Sequence, residues 1–169
     1  MSIIQTWARA RDIFNVKTVS LAILAALATG SAASALEPVK FDRARAYLIW
    51  EDTGNLSKNI ARKKEQIIAN GEEGSSTQVL IDLVVSGEKN TVYPNPPMLI
   101  VYVTNPYEEH GPMMVDKGWS ISYVGLKGES VRSIIVDHDC NPFVLHARVD
   151  NGETIGKEYE KTFNLTCGD

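Results

Sequence analysis

The chain has 169 residues, of which 44% are hydrophobic, with 17 Lys and Arg against 21 Asp and Glu and two cysteines. The acidic balance argues against nucleic acid as the main partner and against broad adhesion to anionic membranes, because both depend on clustered Lys and Arg. The length predicts one domain with a sizeable core.

Residues 1–35 are predicted to be a secretory signal peptide of bacterial type. Three cations precede the short apolar run VSLAILAALA, and Ala33 and Ala35 form the small-residue pattern of a cleavage site. The apolar run is shorter than the roughly 20 residues that span a bilayer, so we expect no membrane span after cleavage before Leu36. An uncleaved leader that serves as an anchor is the alternative.

The mature chain, 36–169, is predicted to be a single periplasmic or secreted domain. The leader holds three of the 17 cationic residues and one of the 21 acidic ones, which leaves 14 against 20. The stretch RAYLIWED (Arg45–Asp52) is typical of a first strand. Next, Leu56, Ile60, Ile67 and Ile68 recur at helical spacing, which predicts one helix around 56–70, capped by Asn55 or Ser57 and ended by Gly71.

The remainder of the chain has the pattern of β-strands. Alternating or continuous apolar runs occur in TQVLIDLVVSG, MLIVYVT, WSISYVG, VRSIIVDH, FVLHARV and KEYEKTFNLTC, and DNGE indicates a hairpin turn. About seven short strands at this spacing predict an antiparallel two-sheet sandwich, immunoglobulin-like in broad architecture. A small β-barrel is the alternative fold.

Cys140 and Cys167 are predicted to form a disulfide, because both belong to the exported part of the chain. The acids near Cys140 begin like a calcium loop, with Asp137, Asp139 and Asn141 at alternate positions. The sixth position of such a loop needs glycine but is Pro142, and the twelfth needs glutamate but is Arg148, which excludes an EF-hand. The stretch is therefore interpreted as a strand end anchored by the disulfide.

The long loop TNPYEEHGPMMVDKG (104–118) is the predicted partner-binding site, since exposed Met and Tyr on a proline-stiffened loop suit protein recognition. Its candidate contact residues are Tyr107, Glu108, Glu109, His110, Met113 and Met114. As an alternative, His110, Met113 and Met114 are soft ligands that suit copper in an exported protein. A further alternative is a purely structural role, in which Met113 and Met114 pack beneath the loop or form an edge strand.

The sequence carries no motif for chemistry, neither a nucleophile elbow nor a phosphate-binding loop, a dinucleotide fingerprint or a Cys-x-x-Cys pair. We therefore expect a binding or accessory module with a protein partner in the cell envelope, and not an enzyme, with no cofactor. A periplasmic copper-binding protein and an envelope enzyme of unknown type are the two alternative functions.

Overall fold

The computed structural model describes residues 36–72, 74–107 and 114–168, so the predicted signal peptide lies outside the described residues. The strands in chain order are β1 (Lys40–Ile49), β2 (Ile67–Gly71), β3 (Gly74–Ser75), β4 (Gln78–Ser86), β5 (Thr91–Val92), β6 (Met98–Thr104), β7 (Val115–Ser120), β8 (Tyr123–Val124), β9 (Glu129–Asp137), β10 (Phe143–Asp150), β11 (Tyr159–Phe163) and β12 (Leu165–Cys167).

These strands form several sheets, which confirms the prediction of a mainly β chain. Sheet I has the order β1-β4-β9 and sheet II the order β11-β10-β6-β7, and every pairing in both is antiparallel. Two small sheets, β12-β2-β3 and β5-β8, complete the described part of the chain, and β12 pairs with β2 in parallel. None of these sheets closes on itself, so the small β-barrel alternative is wrong.

One apolar core takes alternate residues from both large sheets. On β4, Val79, Ile81 and Leu83 are fully buried, and on β10 the buried residues again alternate with half-exposed ones, as in Phe143 and Leu145. All of these belong to the same buried cluster. The period of two sends every second side chain to the core and leaves the others on the outer face of each sheet.

The predicted helix around 56–70 is wrong. In the structure Leu56 forms an isolated antiparallel bridge with Ile49, residues 57–66 form turns and irregular chain, and Ile67–Gly71 is a strand. The apolar spacing does not mark one buried stripe, because Ile60 and Ile67 are buried while Leu56 and Ile68 are about half exposed. Within 36–72, 74–107 and 114–168, no helix has the length and apolar character needed to cross a membrane.

Ser57, one of the two residues expected to cap that helix, bonds to β1 instead, and Asn59 does the same. Ser57 Oγ accepts a hydrogen bond from the Leu48 amide at 2.9 Å, and Asn59 Oδ1 accepts one from the Ala46 amide at 3.1 Å. The carbonyls of Ala46 and Leu48 accept from the amides of Ile60 and Ser57. The segment therefore satisfies the outer edge of β1, and these non-local bonds are what override the helical pattern.

Candidate functional site

The predicted partner-binding loop is described only at its two ends. Tyr107 is 77% exposed, and its amide donates to Asn105 Oδ1 at 3.0 Å. Met114 is 42% exposed, and its amide donates to the Val103 carbonyl at 2.9 Å, which ties this end of the loop to β6. The other predicted contact residues lie outside the described residues: Glu108, Glu109, His110 and Met113.

The predicted copper site shares this loop. Of its ligands, only Met114 is described, because His110 and Met113 fall in the undescribed stretch. Elsewhere in the described part of the chain, no three His, Cys, Asp or Glu side chains come together as a metal site. A copper site made by the loop stays a prediction.

An apolar groove lies between β7 and β9, with a cavity volume of about 520 Å³. Leu80 and Ile135 line it from sheet I, Val115 and Trp119 line it from sheet II, and Met114 lines it as well. We call this the β7–β9 groove. Its volume falls within the range of about 300–1,000 Å³ that is usual for binding clefts, and its lining is mainly hydrophobic.

Both walls of the β7–β9 groove are edge strands. In the described part of the chain β9 pairs only with β4, and β7 pairs only with β6. An edge strand presents main-chain N–H and C=O groups that are available to another chain. The groove therefore combines an apolar lining with two strands that can each accept a further strand.

The structure separates the two described residues of the predicted site. Met114 lines the β7–β9 groove, whereas Tyr107 lines a different cavity of about 510 Å³ beside Cys140 and Asn141. The polar lining of that second cavity, which also includes Asn164, contrasts with the apolar groove. Only one end of the predicted loop thus contributes to the apolar site.

A second group of residues, which we call the histidine cluster, comprises Tyr102, Thr104, His146 and Glu158 on the outer face of sheet II. Tyr102 and His146 are opposite each other on β6 and β10, and their rings stack with centroids 4.4 Å apart. The Glu158 carboxylate accepts a hydrogen bond from the Tyr102 hydroxyl and lies 3.1 Å from His146 Nδ1. On the other side of the imidazole, Nε2 is 3.4 Å from Thr104 Oγ1.

The hydrogen bond between Tyr102 and Glu158 shifts the pKa of both groups. It lowers the pKa of the Glu158 carboxyl below its ordinary value, with help from His146 and Arg148 and against a smaller effect of burial. The same bond raises the pKa of the Tyr102 hydroxyl, and burial adds to that rise. Glu158 is therefore ionised and Tyr102 protonated at neutral pH.

In the neutral form of the imidazole, an ionised Glu158 favours one of the two tautomers of His146. Nδ1 carries the proton and donates to the carboxylate, which leaves Nε2 as an acceptor for the Thr104 hydroxyl. Hydroxyl, imidazole and carboxylate then follow one another in the order of a nucleophile, its base and the group that orients the base. Chemically, this arrangement can draw a proton from Thr104.

The predicted disulfide is confirmed: Cys140 and Cys167 are bonded, with their Cα atoms 5.2 Å apart. Cys140 belongs to a tight turn at the end of β9, in which the Asn141 amide donates to the His138 carbonyl at 2.6 Å. Asp139 and Cys140 both have positive φ, at 42° and 60°. The bond joins the end of β9 to β12 at the C-terminal end of the described chain.

His138 is buried beneath this turn, with 1% of its surface exposed. Its Nδ1 accepts a hydrogen bond from the Cys140 amide at 2.9 Å, so the imidazole holds the turn in place. Burial lowers the pKa of His138, and the nearby charges of Asp139, Asp137 and Glu51 oppose that shift. In this turn, His138 and Cys140 thus have a structural role.

Sequence reasoning missed both the groove and the histidine cluster. The histidine cluster had one usable signal, because His146 alternates with the apolar Leu145 and Ala147 and so must face away from the core. No sequence signal indicated the groove, because Ile135 and Trp119 resemble other strand residues until the strand order is known.

The chain was also compared with known proteins. No model of a known protein family matches it, and a search of curated protein sequences finds no match.

Proposed function

We propose that this chain is a protein-binding module that holds an apolar segment of a partner in the β7–β9 groove. The observation that carries this proposal is an open, mainly hydrophobic groove bounded by two edge strands. An exposed concave apolar surface of this kind is typical of recognition sites, because water is displaced when a partner covers it. Met114, one of the residues selected from the sequence, contributes to its wall.

A selection of random seven-residue peptides displayed on phage tests this proposal on the full chain with its disulfide intact. We expect enriched peptides that shift the amide resonances of Met114, Trp119 and Ile135 in NMR spectra. An Ile135→Lys variant places a charge in the apolar wall, and it should bind these peptides at least about tenfold more weakly. A Lys89→Glu variant, whose exposed side chain does not line the groove, is the control. The proposal fails if no peptide is enriched, or if the shifts map elsewhere.

We further infer that sheets I and II face each other as a sandwich, immunoglobulin-like in broad architecture. Support comes from the shared core, to which β4 and β10 both contribute alternate residues, and from the antiparallel pairing within each sheet. An experimental structure of residues 36–169 with the two sheets packed face to face is the expected result.

The proposed location is the periplasm or the exterior of the cell. The leader pattern of residues 1–35 and a disulfide, which persists in oxidising compartments, both support it. Mass spectrometry of the protein recovered from the cell envelope should give a chain that starts at Leu36 and carries no free thiol. An intact leader together with two free thiols would contradict the export proposal.

The histidine cluster supports a second candidate function, acyl transfer to Thr104. The Thr104 hydroxyl oxygen attacks the carbonyl carbon of an ester, and His146 Nε2 takes the hydroxyl proton and returns it to the leaving alcohol. Water then cleaves the acyl-threonine ester and releases the acid. The observation favouring it is the alignment of Glu158, His146 and Thr104 at 3.1 and 3.4 Å.

Incubation with p-nitrophenyl acetate tests this second function. We expect release of nitrophenol together with an acetyl group on the Thr104 peptide, detected by mass spectrometry. Thr104→Val keeps the shape of the side chain and should carry no acetyl group, and Glu158→Gln should acetylate at least about tenfold more slowly. Equal acetylation of the wild-type protein and both variants would exclude the relay.

A further inference from the structure

The main-chain groups at the outer edge of β9 can be assigned from the hydrogen bonds around it. In an antiparallel pair, the N–H and C=O groups of one residue point to the same neighbouring strand. The His138 amide bonds to the Thr77 carbonyl, which extends the β4–β9 ladder and places even-numbered residues of β9 toward β4. Odd-numbered residues therefore point outward, in agreement with the Glu129 carbonyl, which accepts from Gly125.

Ser133 and Ile135 lie in the middle of this outward-pointing set. Among the described residues, no main-chain hydrogen bond outside the ladder reaches either of them. The side chain of Ile135 is 54% exposed on the outer face of sheet I, and Val131, two residues before Ser133, is 39% exposed. β9 therefore offers free donors and acceptors along an apolar edge of the kind that another strand can extend.

The strand β7 supplies the second wall of the site. Val115, Lys117 and Trp119 are opposite Val103, Val101 and Leu99 of β6, so all six share the core-facing side of sheet II. Sheet II has four strands and sheet I has three. Because the same groove is lined by Ile135 of β9 and by Val115 and Trp119 of β7, the space next to β9 has the position of a fourth strand of sheet I.

The positive charge of Lys117 favours an acidic side chain in the space next to β9. Lys117 lines the groove between two apolar neighbours of the same row, Val115 and Trp119. The acid that also lines the groove, Asp116, belongs to the opposite row of β7, where it is paired with Tyr102. Within the described residues the ammonium group of Lys117 makes no ion pair, and its side chain is exposed. A strand beside β9 would present every second side chain to this row, so an acid flanked by two apolar residues at alternate positions is complementary to it.

We propose that the β7–β9 groove receives an extended peptide of a partner protein, which pairs with β9 and has the pattern apolar-x-acid-x-apolar facing β7. The proposal rests on the proposed function and names the partner chemistry. A second copy of this chain is a poorer occupant. The core-facing row of its own β9 contains Arg132 and Ile134 but no acid to meet Lys117.

Two matched peptides, Thr-Val-Thr-Glu-Thr-Val-Thr and its Glu-to-Lys counterpart, test this inference on the full disulfide-bonded chain by fluorescence polarisation. The Glu peptide should bind at least about tenfold more tightly than the Lys peptide at low salt, because it places a carboxylate beside Lys117. Lys117→Glu should reverse this preference. Lys89→Glu, an exposed lysine outside the groove, should leave it unchanged.

Hydrogen exchange distinguishes strand addition from other contacts. Bound peptide should slow the exchange of the Ser133 and Ile135 amides at least about tenfold, because they become donors to the new strand. Peptides that bind in the groove without this protection, or without a charge preference, overturn strand addition while the proposed function stands. Failure of every displayed peptide to bind overturns the proposed function itself. Self-association that Ile135→Lys abolishes would identify a second copy as the occupant and overturn the inference.

Discussion

In sheet I, the outer edge of β1 is covered at Ala46 and Leu48 by another segment of the chain, whereas the middle of the outer edge of β9, at Ser133 and Ile135, is not covered in the described part of the chain. At β1, both the amide and the carbonyl of Ala46 and of Leu48 are bonded by the segment that contains Ser57 and Asn59. At β9, the Glu129 and Val131 carbonyls accept from Gly125 and from the Arg132 side chain, but no such bond reaches Ser133 or Ile135 in the described part of the chain.

The bonded groups of β1 contribute to stability, whereas the unbonded groups of β9 leave a surface available to another chain. An uncovered, apolar sheet edge promotes aggregation, and proteins usually protect it. A chain that protects one edge of a sheet with its own side chains has the means to protect the other. The stretch of β9 that is uncovered in the described part of the chain is therefore consistent with the proposal that a partner strand pairs with it.

The largest predicted effect concerns the end of β9, where the disulfide anchors it. Replacement of both Cys140 and Cys167 by alanine should lower the free energy of unfolding by about 3.5 kcal/mol, because the unfolded chain regains the freedom of a loop of about 28 residues. Urea unfolding measures this loss. Once the loss of global stability is taken into account, the exchange rate of the Ser133 amide should change little. The disulfide fixes the end of β9 and does not cover its outer edge. A loss below about 1 kcal/mol would contradict this role of the bridge.

Uncovering the β1 edge should have the next largest effect. Asn59 Oδ1 accepts hydrogen bonds from the amides of Ala46 and Ala61, at 3.1 and 3.0 Å, and both of these residues are buried. Asn59→Ala leaves both donors without a partner and should cost about 2–3 kcal/mol in urea unfolding. Asn59→Asp keeps an acceptor at the same place and should cost less than half as much. Equal losses in the two variants would show that the cover acts by packing alone.

Part of this architecture was predictable because it depends on the local alternation of apolar and polar residues. The strands β4 and β10 were correctly predicted from alternation, which reports the face of each residue, and the disulfide from two cysteines in a chain expected to be exported. The covered β1 edge was not predictable. Ser57 resembles a helix cap in sequence and Asn59 falls inside the predicted helix, and only their hydrogen bonds to β1 show that both have another role.

The candidate site was less predictable than the fold, because it depends on which strands are neighbours. Alternation does not report strand order, so nothing in the sequence places Trp119 near Ile135. In the same way, the hairpin signal at Asp150 predicts that the chain turns back, but the register that brings Glu158 to His146 is a property of the folded sheet. Met114 was selected from the loop for its chemistry, and its place in the groove depends on β7.

Acid should lower the free energy of unfolding through His138, which is buried beneath the anchored end of β9. The folded imidazole has a lowered pKa because it is buried, so the unfolded chain takes up a proton near the ordinary value of 6.5 that the folded chain resists. Stability is therefore fully present above pH 6.5 and falls as the pH drops through that value, until the folded pKa is reached. The negative charges of Asp139, Asp137 and Glu51 favour the protonated imidazole and so moderate the fall.

Urea unfolding between pH 7.5 and 4.5 measures this dependence. His138→Asn keeps an acceptor for the Cys140 amide and does not titrate, so its loss of stability with acid should be shallower than that of the wild-type protein. Parallel pH profiles for the two proteins would assign the acid sensitivity to other groups.

The smallest predicted change in stability belongs to the open β9 edge. Ile135→Thr alters an exposed side chain that makes no contribution to the buried core, and Thr keeps the branching that suits a strand. The free energy of unfolding should therefore change by less than about 0.5 kcal/mol. Peptide binding in the β7–β9 groove should nevertheless weaken at least about threefold, because apolar surface is lost from the wall that the partner covers. A substitution that uncovers β1 should therefore reduce stability, whereas one at the edge of β9 should reduce binding and leave the fold intact. A decrease in the free energy of unfolding of more than about 1 kcal/mol for Ile135→Thr would contradict this contrast.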